Sequence, residues 1–159
     1  MERTCGVGLS EGATRRLSRK GVAVLALSAV LVLAGAIPVL AGTASGNVSY
    51  FTCGRYGYRN WATVATSASG ATAGTVIGSY PSVTRPTGWY GAQGRLYNSN
   101  GDLVKWTDMV YSGSAANGMA MWTAAYPVHG NYYSYGLSKS WFGSGYHGHA
   151  TYKSPLQTY

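Results

Sequence analysis

The chain has 159 residues, a formal net charge of +8, and 46% hydrophobic against only 10% charged residues. Beyond residue 44 it contains no Glu and two Asp, Asp102 and Asp108, which argues against catalysis by paired carboxylates. A single cysteine, Cys53, remains there, which excludes an intramolecular disulfide and leaves a small buried hydrophobe as its ordinary role.

The first segment has the three parts of an export signal in order. Arg15, Arg16, Arg19 and Lys20 form a cationic block, Gly21 to Leu40 carries no charge, and Pro38 precedes the small residues Ala41, Gly42, Thr43 and Ala44. A signal peptidase needs small side chains just before the cut, so cleavage is expected after Ala41 or Ala44. This makes residues 1–44 a signal peptide and residues 45–159 one secreted domain. The rival is an uncleaved N-terminal membrane anchor, because the apolar run is long enough to span a bilayer. The Arg15-Arg16 pair is followed by Ser18 and Arg19 rather than apolar residues, so it points to the general secretory route. No cysteine stands at the cleavage site to carry a lipid.

The remaining chain is rich in Tyr, Trp, Thr, Val, Ser and Gly and poor in helix formers other than Ala. This predicts an all-β fold, a small antiparallel β-sandwich or barrel. In chain order, Asn47–Cys53 reads as a strand and Gly54–Asn60 as a turn-rich cationic-aromatic stretch. Trp61–Thr66 alternates modestly, and Ser67–Ser79 reads as a loop with a weak strand near Thr75–Ile77. Tyr80-Pro81 and Arg85-Pro86 punctuate the connection that follows. Trp89–Tyr97 and Leu103–Tyr111 flank Asn98-Ser99-Asn100-Gly101-Asp102 as a hairpin. Met119–Tyr126 is a strand between two turns. Tyr132–Phe142 and Tyr146–Ser154 form a second hairpin across Gly143-Ser144-Gly145.

Seven basic residues (Arg55, Arg59, Arg85, Arg95, Lys105, Lys139 and Lys153) face two acids, a net charge of +5 that draws the domain towards anionic surfaces. If Phe142 stands opposite Tyr146, His147 faces Trp141 and His149 faces Lys139. Alternation then puts Tyr133, Tyr135, Lys139, Trp141, His147, His149 and Lys153 on one side of the last hairpin. Flat aromatics mixed with positive charge suit stacking on sugar rings and attraction of anions. The competing reading is that these aromatics are core. His147 and His149, with His129 as a third ligand, have the spacing of a metal site, but Lys139 beside them and the lack of a carboxylate argue against it. No metal and no cofactor is expected.

The segment Tyr135-Gly136-Leu137-Ser138-Lys139-Ser140-Trp141, followed by Tyr146-His147-Gly148-His149-Ala150-Thr151, resembles the lactococcin 972 family of secreted bacteriocins. That resemblance implies a small cationic, disulfide-free β-sandwich that disturbs cell-wall synthesis. In the family this segment lies early in the mature protein, whereas here it ends the chain.

The leading expectation is therefore a secreted, non-catalytic β-domain that binds an anionic polymer, glycan or membrane surface through an aromatic-cationic face, with no specific nucleic-acid partner. The alternatives are a bacteriocin-like toxin and an extracellular enzyme or enzyme inhibitor.

Overall fold

The structure is a computed structural model and describes residues 42–159. The expected signal segment lies outside the described residues up to Ala41. The described residues form thirteen strands and no helix. In chain order these are β1 (Gly42–Ser45), β2 (Ser49–Cys53), β3 (Tyr56–Ser67), β4 (Gly70–Ser79), β5 (Tyr90–Gln93), β6 (Arg95–Asn98) and β7 (Leu103–Trp106). They continue with β8 (Val110–Tyr111), β9 (Gly118–Trp122), β10 (Asn131–Ser134), β11 (Leu137–Trp141), β12 (Tyr146–Ala150) and β13 (Gln157–Thr158).

All pairings between these strands are antiparallel, in three sheets. One runs β1-β3-β4-β9, with β2 also on β3; the second runs β13-β10-β6-β7; the third runs β12-β11-β5-β8. The all-β expectation holds. None of the three sheets closes on itself, so the described residues form no barrel of the kind expected as one alternative.

The five-stranded sheet packs against both four-stranded sheets, and two apolar clusters fill the space between. Tyr58 and Ile77 meet Tyr90, Ala92 and Cys53 in the first. Val64, Ala71 and Ala73 meet Leu96 and Tyr132 in the second. Between the clusters the layers touch almost backbone to backbone. Thr75 Oγ1 donates to the Gln93 carbonyl (2.8 Å) and fills the space a side chain on Gly136 would need. That contact breaks each long strand in two, β5 from β6 at Gly94 and β10 from β11 at Tyr135-Gly136.

Three threonines clamp this region in the same way. The N–H of Gly94, Gly136 and Ala73 donates to the hydroxyl of Thr107 (3.1 Å), Thr151 (3.0 Å) and Thr123 (3.0 Å) respectively. Each threonine returns its own N–H to the same residue's carbonyl, at 3.0, 3.0 and 2.9 Å. The peptide groups left unpaired where an edge strand ends are thereby satisfied.

Several segments differ from their sequence reading. The strand expected over Leu103–Tyr111 is two strands in different sheets, β7 on β6 and β8 on β5, because the ribbon opposite is itself broken at Gly94. Tyr56–Asn60 belongs to the twelve-residue β3, with only Gly54 and Arg55 left to the turn. Gly70–Ser79 is the central ten-residue β4 rather than a loop. Its small residues are what the site demands. Ala71, Ala73 and Thr75 let the opposite layer approach, and Gly74 lies beneath the Trp122 ring. Cys53 is a buried free thiol, as expected.

Candidate binding surface

β5–β6 and β10–β11 form one ribbon in a single register. Tyr90 pairs with Ser140, Gln93 with Leu137, Leu96 with Ser134 and Asn98 with Tyr132. The Trp141 N–H to Trp89 carbonyl bond (3.1 Å) and the Tyr135 N–H to Arg95 carbonyl bond (3.3 Å) continue the ladder to its end and across the break. Side chains alternate between faces. Tyr90, Ala92, Leu96, Tyr132, Ser134, Ser138 and Ser140 turn inward and are buried. The small serines occupy the inner face because the layers meet closely there. Ser134 Oγ donates to the Gly74 carbonyl (3.1 Å), and Asn60 Nδ2 donates to Ser138 Oγ (2.7 Å).

The outer face of the ribbon therefore carries five cross-strand pairs in a row: Trp89–Trp141, Gly91–Lys139, Gln93–Leu137, Arg95–Tyr135 and Tyr97–Tyr133. At about 3.3 Å per residue the row is roughly 26 Å long. Neighbouring strands widen it. Tyr146 sets its ring edge-on to Trp141 (5.1 Å) and packs on Tyr111 (4.8 Å), while its hydroxyl donates to the Gly88 carbonyl (2.6 Å). Gly91 has no side chain because the Tyr111 ring lies across it beside Lys139; an added Cβ would stand 3.0 Å from Tyr111 and 3.1 Å from Lys139. Beyond Trp89, the Arg85 guanidinium lies over the rings of Tyr56 (4.7 Å) and Trp89 (5.7 Å), and Arg55 flanks Tyr56 from 5.2 Å.

Of the residues singled out from the sequence, Tyr133, Tyr135, Lys139 and Trp141 share this outer face. Lys153 joins them, its ammonium 5.0 Å over the Tyr133 ring, which stacks on Tyr97 at 5.3 Å. His147 and His149 do not. The last hairpin pairs Trp141 with Tyr146, Ser140 with His147 and Ser138 with His149. Its loop is therefore the four residues Phe142–Gly145, one longer than expected, and a one-residue slip sends every side chain of the second strand to the other face. The histidines lie on the opposite side: half-buried His149 stacks on Phe51 (3.7 Å), and exposed His147 meets Phe142 edge-on (4.5 Å). Burial, and secondarily the charge of His147, hold the His149 pKa below its ordinary value. His129, the third residue of the suggested metal set, stacks on Tyr159 instead (4.7 Å). Among the described residues no three His, Cys, Asp or Glu side chains are grouped to hold a metal.

Sequence reasoning missed Arg55, Tyr56, Arg85, Trp89, Tyr97, Tyr111 and Tyr146. The cationic-aromatic character of residues 54–60 is a visible signal, but the pairing of Trp89 with Trp141 spans fifty residues and has no local signature. The ribbon is anchored from beneath: the Tyr58 hydroxyl donates to the Trp141 carbonyl (2.7 Å). Burial pushes the Tyr58 pKa up to about 12, against the opposing pull of Arg85, so the donor stays protonated. Among the described residues none of the seven basic side chains forms an ion pair. Asp102 is held in the β6–β7 turn, where its carboxylate accepts from Asn98 Nδ2 (2.8 Å). Comparison with protein-family models, curated proteins and solved structures finds no match to this chain.

Proposed function

We propose that the domain is a secreted, non-catalytic β-sandwich that binds a linear anionic polymer or glycan of a cell envelope or extracellular matrix along the outer face of the ribbon. The observation that carries this reading is the row of outward aromatics with cations that no carboxylate neutralises. Ring faces offer stacking to sugars, and unpaired cations supply attraction at a distance. A row several residues long suits a chain-like ligand better than a single small molecule. The absence of catalysis is part of the proposal. Asp102 serves a turn, which leaves Asp108 without the second carboxylate that glycoside hydrolysis ordinarily requires.

Secretion is part of the proposal, and the order of cationic block, apolar run and small residues is what supports it. Gly42 lies in β1, and its N–H donates to Thr66 Oγ1 (3.1 Å). Cleavage after Ala41 leaves β1 whole, whereas cleavage after Ala44 removes three of its four residues, including the Ala44 that packs on the second cluster.

Co-sedimentation with purified wall polymer, before and after its acidic groups are blocked, tests the reading. The expected result is binding to the native polymer that falls steeply between low and high salt and is lost on blocking. Equal binding to the blocked polymer contradicts it.

A further inference from the structure

The opposite outer face of the molecule holds a second feature that the ribbon does not use. On the five-stranded sheet Arg59 pairs with Gly78, which pairs with Gly118; in the next row Trp61 pairs with Val76, which pairs with Ala120. Two glycines beside an arginine leave the sheet without side chains there. The result is a depression of about 320 Å³ lined by Arg59, Trp61, Val76, Gly78, Asn117 and Gly118. That volume is at the lower end of the range for small-molecule sites, about 300–1,000 Å³. Arg59 lies 5.9 Å from the Trp61 ring centre, its Nε is buried with no hydrogen-bond partner, and no carboxylate pairs with it. A buried charged donor left unsatisfied is costly, and the side chain that carries it lines the depression beside an indole.

We propose that this depression is a second binding site, for an acidic monosaccharide unit: a sugar ring that packs its C–H face on Trp61 and gives its carboxylate to Arg59. At Gly78 and Gly118 the strands run so close that an added Cβ would stand 3.0 Å from the Asn117 carbonyl oxygen and 2.7 Å from the Ile77 carbonyl oxygen. The depression is therefore lined there by backbone, and Asn117, whose side chain donates to Ser82 Oγ (3.1 Å), borders it. The acidic unit comes either as a free sugar acid or as a residue within a polymer. The outer faces of two packed layers point in opposite directions, so a protein with sites on both bridges two polymer chains. This last step rests on the ribbon reading; the site itself does not.

The test uses the purified full-length chain, isotope-labelled, titrated with sodium glucuronate, with glucose as the neutral control and polygalacturonate as the polymer. Glucuronate is expected to shift the amide signals of Gly78 and Gly118, with glucose much weaker. Arg59→Gln, which keeps most of the side chain, is expected to weaken glucuronate binding about tenfold or more, as loss of a charge-assisted hydrogen bond implies. Trp61→Phe, which keeps a ring in place, is expected to retain part of the binding. Polygalacturonate is expected to become turbid near equimolar wild-type protein and to stay clear with Arg59→Gln. If only the free acid binds, the site stands and bridging is overturned. Absence of shifts at Gly78 and Gly118, equal affinity for glucose, or an unchanged Arg59→Gln overturns the site. Shifts confined to Gly91 and Lys139 contradict this site while leaving the ribbon intact.

Discussion

His149 reports how the domain is held at its C-terminal edge. Its ring stacks on Phe51, its Nε2 is buried without a hydrogen-bond partner, and Ser138 Oγ donates to its carbonyl (3.2 Å). Because the folded pKa is depressed below 6.5, the unfolded chain takes up this proton first as pH falls. Stability attributable to His149 is therefore complete above about pH 6.5 and declines as pH drops towards the folded pKa. Urea unfolding at about pH 7.5 and about pH 5 is expected to show a lower midpoint in acid. His149→Gln is expected to flatten that difference. An identical pH response in the variant would show that other groups are responsible. His147, exposed beside it, contributes the secondary repulsion that lowers the His149 pKa.

Strand ends show what the sequence makes legible and what it hides. The β6–β7 hairpin is readable because its signal is local. Asn98 Oδ1 accepts from the N–H groups of Asn100 (3.0 Å) and Asp102 (2.9 Å), which is the chemistry expected of Asn and Asp in a turn. The alternation in Tyr133–Trp141 is readable for the same reason, since it needs only a period of two. The β11–β12 loop is not, because Gly143-Ser144-Gly145 leaves open whether Phe142 belongs to the loop, and that choice reverses the histidines. β4 is hidden because its Ala, Gly and Thr are selected by a layer remote in sequence, not by strand propensity. The threonine clamps are equally silent in sequence. Thr151→Val keeps the shape but removes the acceptor for the buried Gly136 N–H. It is expected to cost about 1–3 kcal/mol in chemical denaturation, the usual penalty for an orphaned buried donor. A loss below about 0.5 kcal/mol, within the usual range of surface substitutions, would mean the clamp is dispensable.

The whole molecule divides its labour between faces. The facing sides of the two layers spend Tyr58, Tyr90, Leu96 and Tyr132 on two small apolar clusters joined by a seam of Thr, Ser and Gly. Bulky aromatics are thereby left over for the outside, where Trp89, Trp141, Tyr97 and Tyr133 line the ribbon between cations. In β11 the serines are buried, while Lys139 and Trp141 are half-buried on the other face. The most direct test measures polymer binding and melting together for the wild type, Lys139→Ala and Trp141→Ala, at about 0.1 M and about 1 M salt, where the Debye length falls from about 10 Å to about 3 Å. The account predicts that Lys139→Ala weakens binding at low salt only. Trp141→Ala is predicted to weaken it at both salt concentrations, with less than the roughly 3–5 kcal/mol stability loss of a core aromatic. Unfolding of Trp141→Ala together with wild-type binding by Lys139→Ala at low salt would contradict it.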